Sequence, residues 1–103
     1  MSTNYYFKWN DNKVNDIHIG KRSCGWVPLF QATPYFRSVN DIKNFYIQNK
    51  AQVKIIDEYD TEYTWEELEK ELINWPGERN HYPYKDFFYQ DEAGYDFTER
   101  EFS

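Results

Sequence analysis

Asn4-Tyr5-Tyr6-Phe7-Lys8-Trp9 places a ring at Tyr5, Phe7 and Trp9, on every second residue. That period turns all three to one side of an extended chain, the pattern of a half-buried strand. Asn10-Asp11-Asn12-Lys13 follows as turn chemistry, because short Asx side chains hydrogen-bond their own backbone and tolerate left-handed conformations. Asp16-Ile17-His18-Ile19 alternates again with both isoleucines on one face, so the chain opens as a β hairpin. After Ser23-Cys24-Gly25 a third strand, Trp26 to Gln31, resumes the pattern. Pro28 has no amide to give a ladder, so this strand is expected to be an edge or to carry a bulge there. An edge strand would also allow a homodimer.

Downstream the period changes. Ser38 reads as the N-cap of a helix whose apolar face is Val39, Ile42, Phe45 and Tyr46, ending near Asn49. Val53 to Asp57 is a short apolar strand. Thr64-Trp65-Glu66-Glu67 has the capping-box pattern and opens a second helix with Trp65, Leu68, Leu72 and Trp75 on one face. Glu66 and Lys70 are spaced to pair along it, and Pro76-Gly77 stops it. Tyr84 to Gln90 and Tyr95 to Phe102 read as two closing strands around Asp91-Glu92-Ala93-Gly94. The order is roughly βββαβαββ: one α+β domain over residues 1–103, with a mainly antiparallel sheet and two helices on one face.

Aromatic residues make up 21% of the chain, so rings rather than aliphatic side chains must supply most of the core. Asp and Glu number 18 against 12 Lys and Arg, a formal charge of −6. Such a surface repels nucleic acid, whose binding depends on neutralising phosphates, so no direct nucleic-acid partner is expected. The single cysteine, Cys24, excludes an internal disulfide framework. Neither a signal-like leader nor an apolar run long enough for a membrane helix is visible, which points to a reducing cytosol and away from a membrane.

His18-Ile19-Gly20-Lys21-Arg22-Ser23-Cys24-Gly25-Trp26 concentrates cations and glycines in a net-acidic chain. As an anion site, Lys21 would supply a point charge, Arg22 a planar fork and Ser23 a hydroxyl. Trp26 would stack on a base, and His18 would complete a nucleotide-binding set. It is not a Walker loop, because the spacing and the Gly-Lys-Ser/Thr ending are absent. Composition alone favours an ordinary solvated strand connection there. His18, Cys24 and His81 lack zinc-site spacing, so no metal and no cofactor are expected. Asp57 to Glu62 lacks the glycine of a calcium loop and reads as an acidic turn. Cys24 or Ser23 with His18 as base lacks an orienting third member, and we expect no enzyme.

The chain resembles a group of short proteins from tailed bacteriophages. Asn4-Tyr5-Tyr6 with Ile17-His18-Ile19-Gly20-Lys21, Ser23 and Gly25-Trp26 carries the first block of likeness. Asp57-Glu58-Tyr59 carries the second, and Gly94-Tyr95-Asp96-Phe97 with Glu101-Phe102-Ser103 the third. These blocks fall in order across Asn4 to Ser103. Two departures stand out. Many relatives carry Cys-x-x-Cys in the first hairpin, where this chain has Asn10 to Lys13. Relatives also tend to have glycine where this chain has Asp60, so its turn must close differently or reach left-handed backbone with an aspartate.

The resemblance implies an accessory viral protein that acts in the host cytoplasm by stoichiometric binding. Two modes are expected. In the favoured one, an acidic anti-CRISPR-type inhibitor occupies the nucleic-acid-binding surface of a host effector protein. Asp57, Glu58, Asp60, Glu62, Glu66, Asp91, Glu92 and Asp96 would mimic phosphates there. In the alternative, the chain is a sponge for a nucleotide immune signal, gripped by the Gly20–Gly25 turn.

Overall fold

The computed structural model describes residues 2–23, 25–77 and 88–102. Cys24, His81, the polar stretch 78–83 and the first part of the expected closing strand, 84–87, lie outside the described residues. The ring-bearing opening becomes β1 (Ser2–Trp9), which is paired on both sides. β2 (Ile17–Ser23) and β4 (Val53–Asp57) flank it, both antiparallel. Tyr5 and Phe7 are completely buried and Trp9 packs against the same core, as their period requires.

A bulge falls between Tyr5 and Tyr6, where Tyr5 faces Gly20 and Tyr6 faces His18. Ile19 is thus the extra residue of β2, and it too is fully buried. Gly20 lets two strands approach closely: a Cβ there would lie 2.8 Å from the Leu29 carbonyl oxygen. β3 (Trp26–Gln31) returns antiparallel through a tight turn in which Gly25 takes a φ of +85°, a conformation glycine adopts without steric cost.

The sequence left two readings of Pro28 open, and the bulge is the one found. Register shifts between Lys21 and Ser23, setting Val27 and Pro28 against Arg22. β3 is not an edge, because β7 (Asp96–Thr98) pairs with it in parallel from Leu29 onward. From Leu29 to Gln31 β3 is therefore covered on both sides, whereas Trp26 to Pro28 pair only with β2. β6 (Phe88–Gln90) completes that flank antiparallel to β7. At the other flank β5 (Glu62–Tyr63), a two-residue strand absent from the expected order, covers β4. The sheet runs β5-β4-β1-β2-β3-β7-β6. Among the described residues its outer strands are two and three residues long, and β5 contributes a glutamate, which blunts edge-to-edge pairing.

Helix α1 (Val39–Asn49) starts where its cap predicts, with the Ser38 hydroxyl accepting from the Asp41 amide at 3.0 Å. α2 (Trp65–Leu68) has the full capping box, Thr64 and Glu67 each accepting the other's backbone amide. Both helices lie on the Tyr5/Phe7 side. Phe45 and Tyr46 of α1 pack on Phe7, and Tyr46 stacks on Trp65 of α2 at 5.5 Å. The domain is α+β, as expected.

The second helix departs from expectation past Leu68, where it widens into a π turn, Glu69–Ile73. Leu72 and Ile73 are both buried, and Trp75 lies beyond the helix. The anticipated Glu66–Lys70 pair does not form, because the wider turn shifts Lys70 out of the i,i+4 row.

Candidate functional site

Strand alternation decides what the Gly20–Gly25 stretch can do. Lys21, Arg22 and Ser23 belong to β2 rather than to a loop, so consecutive side chains leave opposite faces. Arg22, opposite Thr3, turns to the helix side. There its Nη1 donates to the Glu71 carbonyl oxygen at 3.0 Å and to Glu71 Oε2 at 2.7 Å, and the guanidinium lies 4.0 Å from the centre of the Trp75 ring. Glu71 lies in the last turn of its helix, Glu69–Ile73, where carbonyl oxygens lack intrahelical partners, so its carbonyl is open to Arg22.

Lys21, opposite Asn4, lies on the other face in a row with Leu29 and Asp96. Trp26, 42% exposed, flanks the tight turn. Ser23 is five residues along the strand from His18, roughly 15 Å at strand rise. The fold therefore does not gather Lys21, Arg22, Ser23 and His18 around one ligand.

His18 has different company. The sheet face away from the helices carries a polar cluster in which His18 sits between two side-chain amides. Gln31, 4% exposed, donates its Nε2 hydrogens toward the carbonyl oxygens of Ala32, Thr98 and Arg100 at 3.3, 3.2 and 3.1 Å. Its Oε1 is thereby turned to His18 Nδ1, 3.4 Å away, and also accepts from the Phe102 amide at 3.3 Å. His18 Nδ1 must then carry the hydrogen. Its Nε2 lies 3.0 Å from Asn4 Oδ1, so a neutral ring requires the Asn4 amide to turn its NH2 end inward. Burial holds the His18 pKa below its usual range, which favours that neutral ring. Phe102 closes over the imidazole edge-on at 4.6 Å and Tyr6 lies beside it at 5.2 Å.

Beside this cluster opens a cavity of about 660 Å3. His18 and Gln31 line it, Tyr35 and Phe102 supply rings, and Asp16, Glu99 and Glu101 supply carboxylates. Sequence reasoning singled out His18 alone among these. Gln31 carried a signal, a polar residue at an alternating position of an otherwise apolar strand. Asn4 and Phe102 entered only through the blocks of resemblance, with nothing local to join them to His18, 14 and 84 residues away, and Tyr35 carried no signal.

The acidic residues separate into structural and surface groups. Asp57, 5% exposed, accepts from the Tyr59 and Thr61 amides at 2.8 and 3.0 Å and from the Tyr63 hydroxyl at 2.8 Å. Burial works to raise its pKa, but these hydrogen bonds outweigh it and hold the carboxyl below its usual range. The turn it organises places Asp60 in left-handed backbone at φ 65°, the second of the two routes open to an aspartate there.

Asp91 accepts from the amides of Val39, Ala93 and Tyr95, which ties the β6–β7 turn to the start of α1. Asp96 is buried in β7. Asp60, Glu62 and Glu66 are exposed around β5, as is Glu58, one of whose oxygens accepts from the Asn4 amide. Glu92 is exposed in the β6–β7 turn. The two acidic stretches thus lie at opposite flanks of the sheet, about 29 Å apart across six strand spacings.

No family model, curated protein or solved structure matches the chain. Among the described residues no helix is long and apolar enough to cross a membrane, and no three His, Cys, Asp or Glu side chains are grouped to hold a metal ion.

Proposed function

We propose that the chain is a phage-encoded antagonist of host defence that works by stoichiometric binding in the host cytoplasm. It lays its acidic β4–β5 flank into the nucleic-acid-binding surface of a host effector protein, in the manner of anti-CRISPR inhibitors. One observation carries this reading. From Asp57 to Glu69 the chain has no lysine or arginine, and the fold projects Glu58, Asp60, Glu62 and Glu66 from one flank around Tyr59, which is 68% exposed. Carboxylates spaced along an edge with an exposed ring among them suit a basic groove that ordinarily holds phosphates and stacked bases. The sponge alternative needs Lys21 and Arg22 to act on one ligand; they leave opposite faces, and Glu71 and Trp75 already occupy Arg22.

The test is phage challenge of bacteria that express the chain and carry CRISPR interference systems of several effector types. The wild-type chain should restore plating of a targeted phage by orders of magnitude against at least one type. The variant Asp60→Lys/Glu62→Lys/Glu66→Lys, which changes exposed side chains only, should not. No restoration with any effector type, or full restoration by the triple variant, overturns the proposal.

A further inference from the structure

Twice this fold holds one of its own arginines between a ring and a carboxylate. Arg22 lies over Trp75 and bonds Glu71, and Arg37 lies 5.2 Å from the Tyr89 ring centre while bonding Glu99 at 3.1 Å. The cavity beside the His18–Gln31 cluster offers the same pair of partners with no arginine or lysine among its described lining residues. Tyr35, 54% exposed, and Phe102 present ring surface, while Asp16 and Glu101 make no ion pair among the described residues. Glu99 is shared with Arg37, but that pair is half-exposed and so weakly held.

We propose that this cavity receives an arginine side chain of a partner protein. The guanidinium would stack on Tyr35 and bond the carboxylates of Asp16 and Glu101 in its plane. Arginine fits better than lysine, because a planar fork can face a ring and two carboxylates at once, whereas an ammonium is a strongly hydrated point charge. A cavity of about 660 Å3 admits the flanking residues of a short segment as well. A phosphate or nucleotide is the wrong charge for these walls. The assignment deepens the protein-binding reading above and rests on it for the partner, but the site can be tested without that partner.

The experiment is an NMR titration of the 15N-labelled full chain with a blocked Gly-Arg-Gly tripeptide, with the citrulline tripeptide as the uncharged control. Amide shifts should change at His18, Gln31, Tyr35 and Phe102, with a Kd in the millimolar range, and citrulline should leave them unmoved. Asp16→Asn/Glu101→Gln and, separately, Tyr35→Ala should each weaken binding about tenfold or more, by losing roughly 1.4 kcal/mol of interaction; the carboxamide pair should keep the wild-type melting temperature because both side chains are exposed, whereas Tyr35→Ala also gives up an edge-on contact with Phe45 and is compared by binding only. Absence of site-specific shifts, an equal response to citrulline, or undiminished binding by the double carboxamide variant overturns the assignment. A negative titration leaves the phage-challenge result standing, and success in that challenge does not rescue the cavity.

Discussion

Replacing Arg22 by methionine separates a structural arginine from a ligand-binding one. Methionine keeps an unbranched apolar stem against the sheet and removes the charge. Three interactions go with it: the ion pair to Glu71, the hydrogen bond to the Glu71 carbonyl and the stacking on Trp75. The ion pair is partly exposed, at 23% and 36%, so it contributes no more than about 1 kcal/mol. Stacking on tryptophan adds about 1 kcal/mol. The charged hydrogen bond to a half-wet carbonyl adds about 1 kcal/mol. The total is about 3 kcal/mol before non-additivity, and about 2 kcal/mol is a reasonable floor.

For a domain of this length that is a fall in Tm of roughly 10–20 °C. Thermal unfolding followed by the fluorescence of the four tryptophans measures it. A double-mutant cycle with Glu71→Gln should return a coupling near 1 kcal/mol. A Tm within about 2 °C of wild type would refute the reasoning, since it would mean that the guanidinium does nothing for the fold and is free for a ligand.

Three further outcomes follow from the same geometry. Asp57→Asn keeps the acceptor for the Tyr59 and Thr61 amides but loses the charged partner of Tyr63, and should cost about 1–2 kcal/mol by urea unfolding at neutral pH. Because the folded-state pKa of Asp57 lies below its ordinary 3.8, this stability is present above that value and is lost as pH falls through the folded pKa. An identical acid limb in the variant would argue against the hydrogen-bond account.

His18 works in the opposite charge sense, since its folded pKa lies below its ordinary 6.5. The unfolded chain therefore takes up the proton first, and stability should drop as pH falls below about 6.5 until the folded pKa is passed. His18→Gln should flatten the Tm profile through that window, and a wild-type profile already flat there would contradict a neutral, buried ring. Gly20→Ala should destabilise by about 1–3 kcal/mol, because the new methyl meets the backbone of Leu29 and Phe30 and the fully buried Phe30 ring. A neutral substitution would mean that β2 and β3 separate more easily than their pairing indicates.

The features legible in the sequence share one physical property: each is decided within a few residues. Alternating rings gave β1 because adjacent side chains of a strand must point apart. Ser38 and the Thr64–Glu67 pair marked helix starts because the orphan amides they satisfy are two or three residues away. Pro28 announced an edge or a bulge because it lacks a donor at its own position. The acidic run 57–69 and the net charge were likewise open to inspection.

Alternation tells which residues of one strand share a face, but not which strand lies beside it. Only the packed sheet set β7 parallel to β3, and that placement brought Thr98, Arg100 and Phe102 to Gln31 and His18 across 67 to 71 residues of chain between the bonded pairs. The same is true of Arg22, whose alternation put it on the helix face while its partner waited 49 residues away on a π turn that no local pattern signals. Local sterics and hydrogen bonding wrote the elements into the sequence. Burial of the aromatic core on one side of the sheet decided their neighbours, and with them the polar cluster on the other side and the cavity beside it.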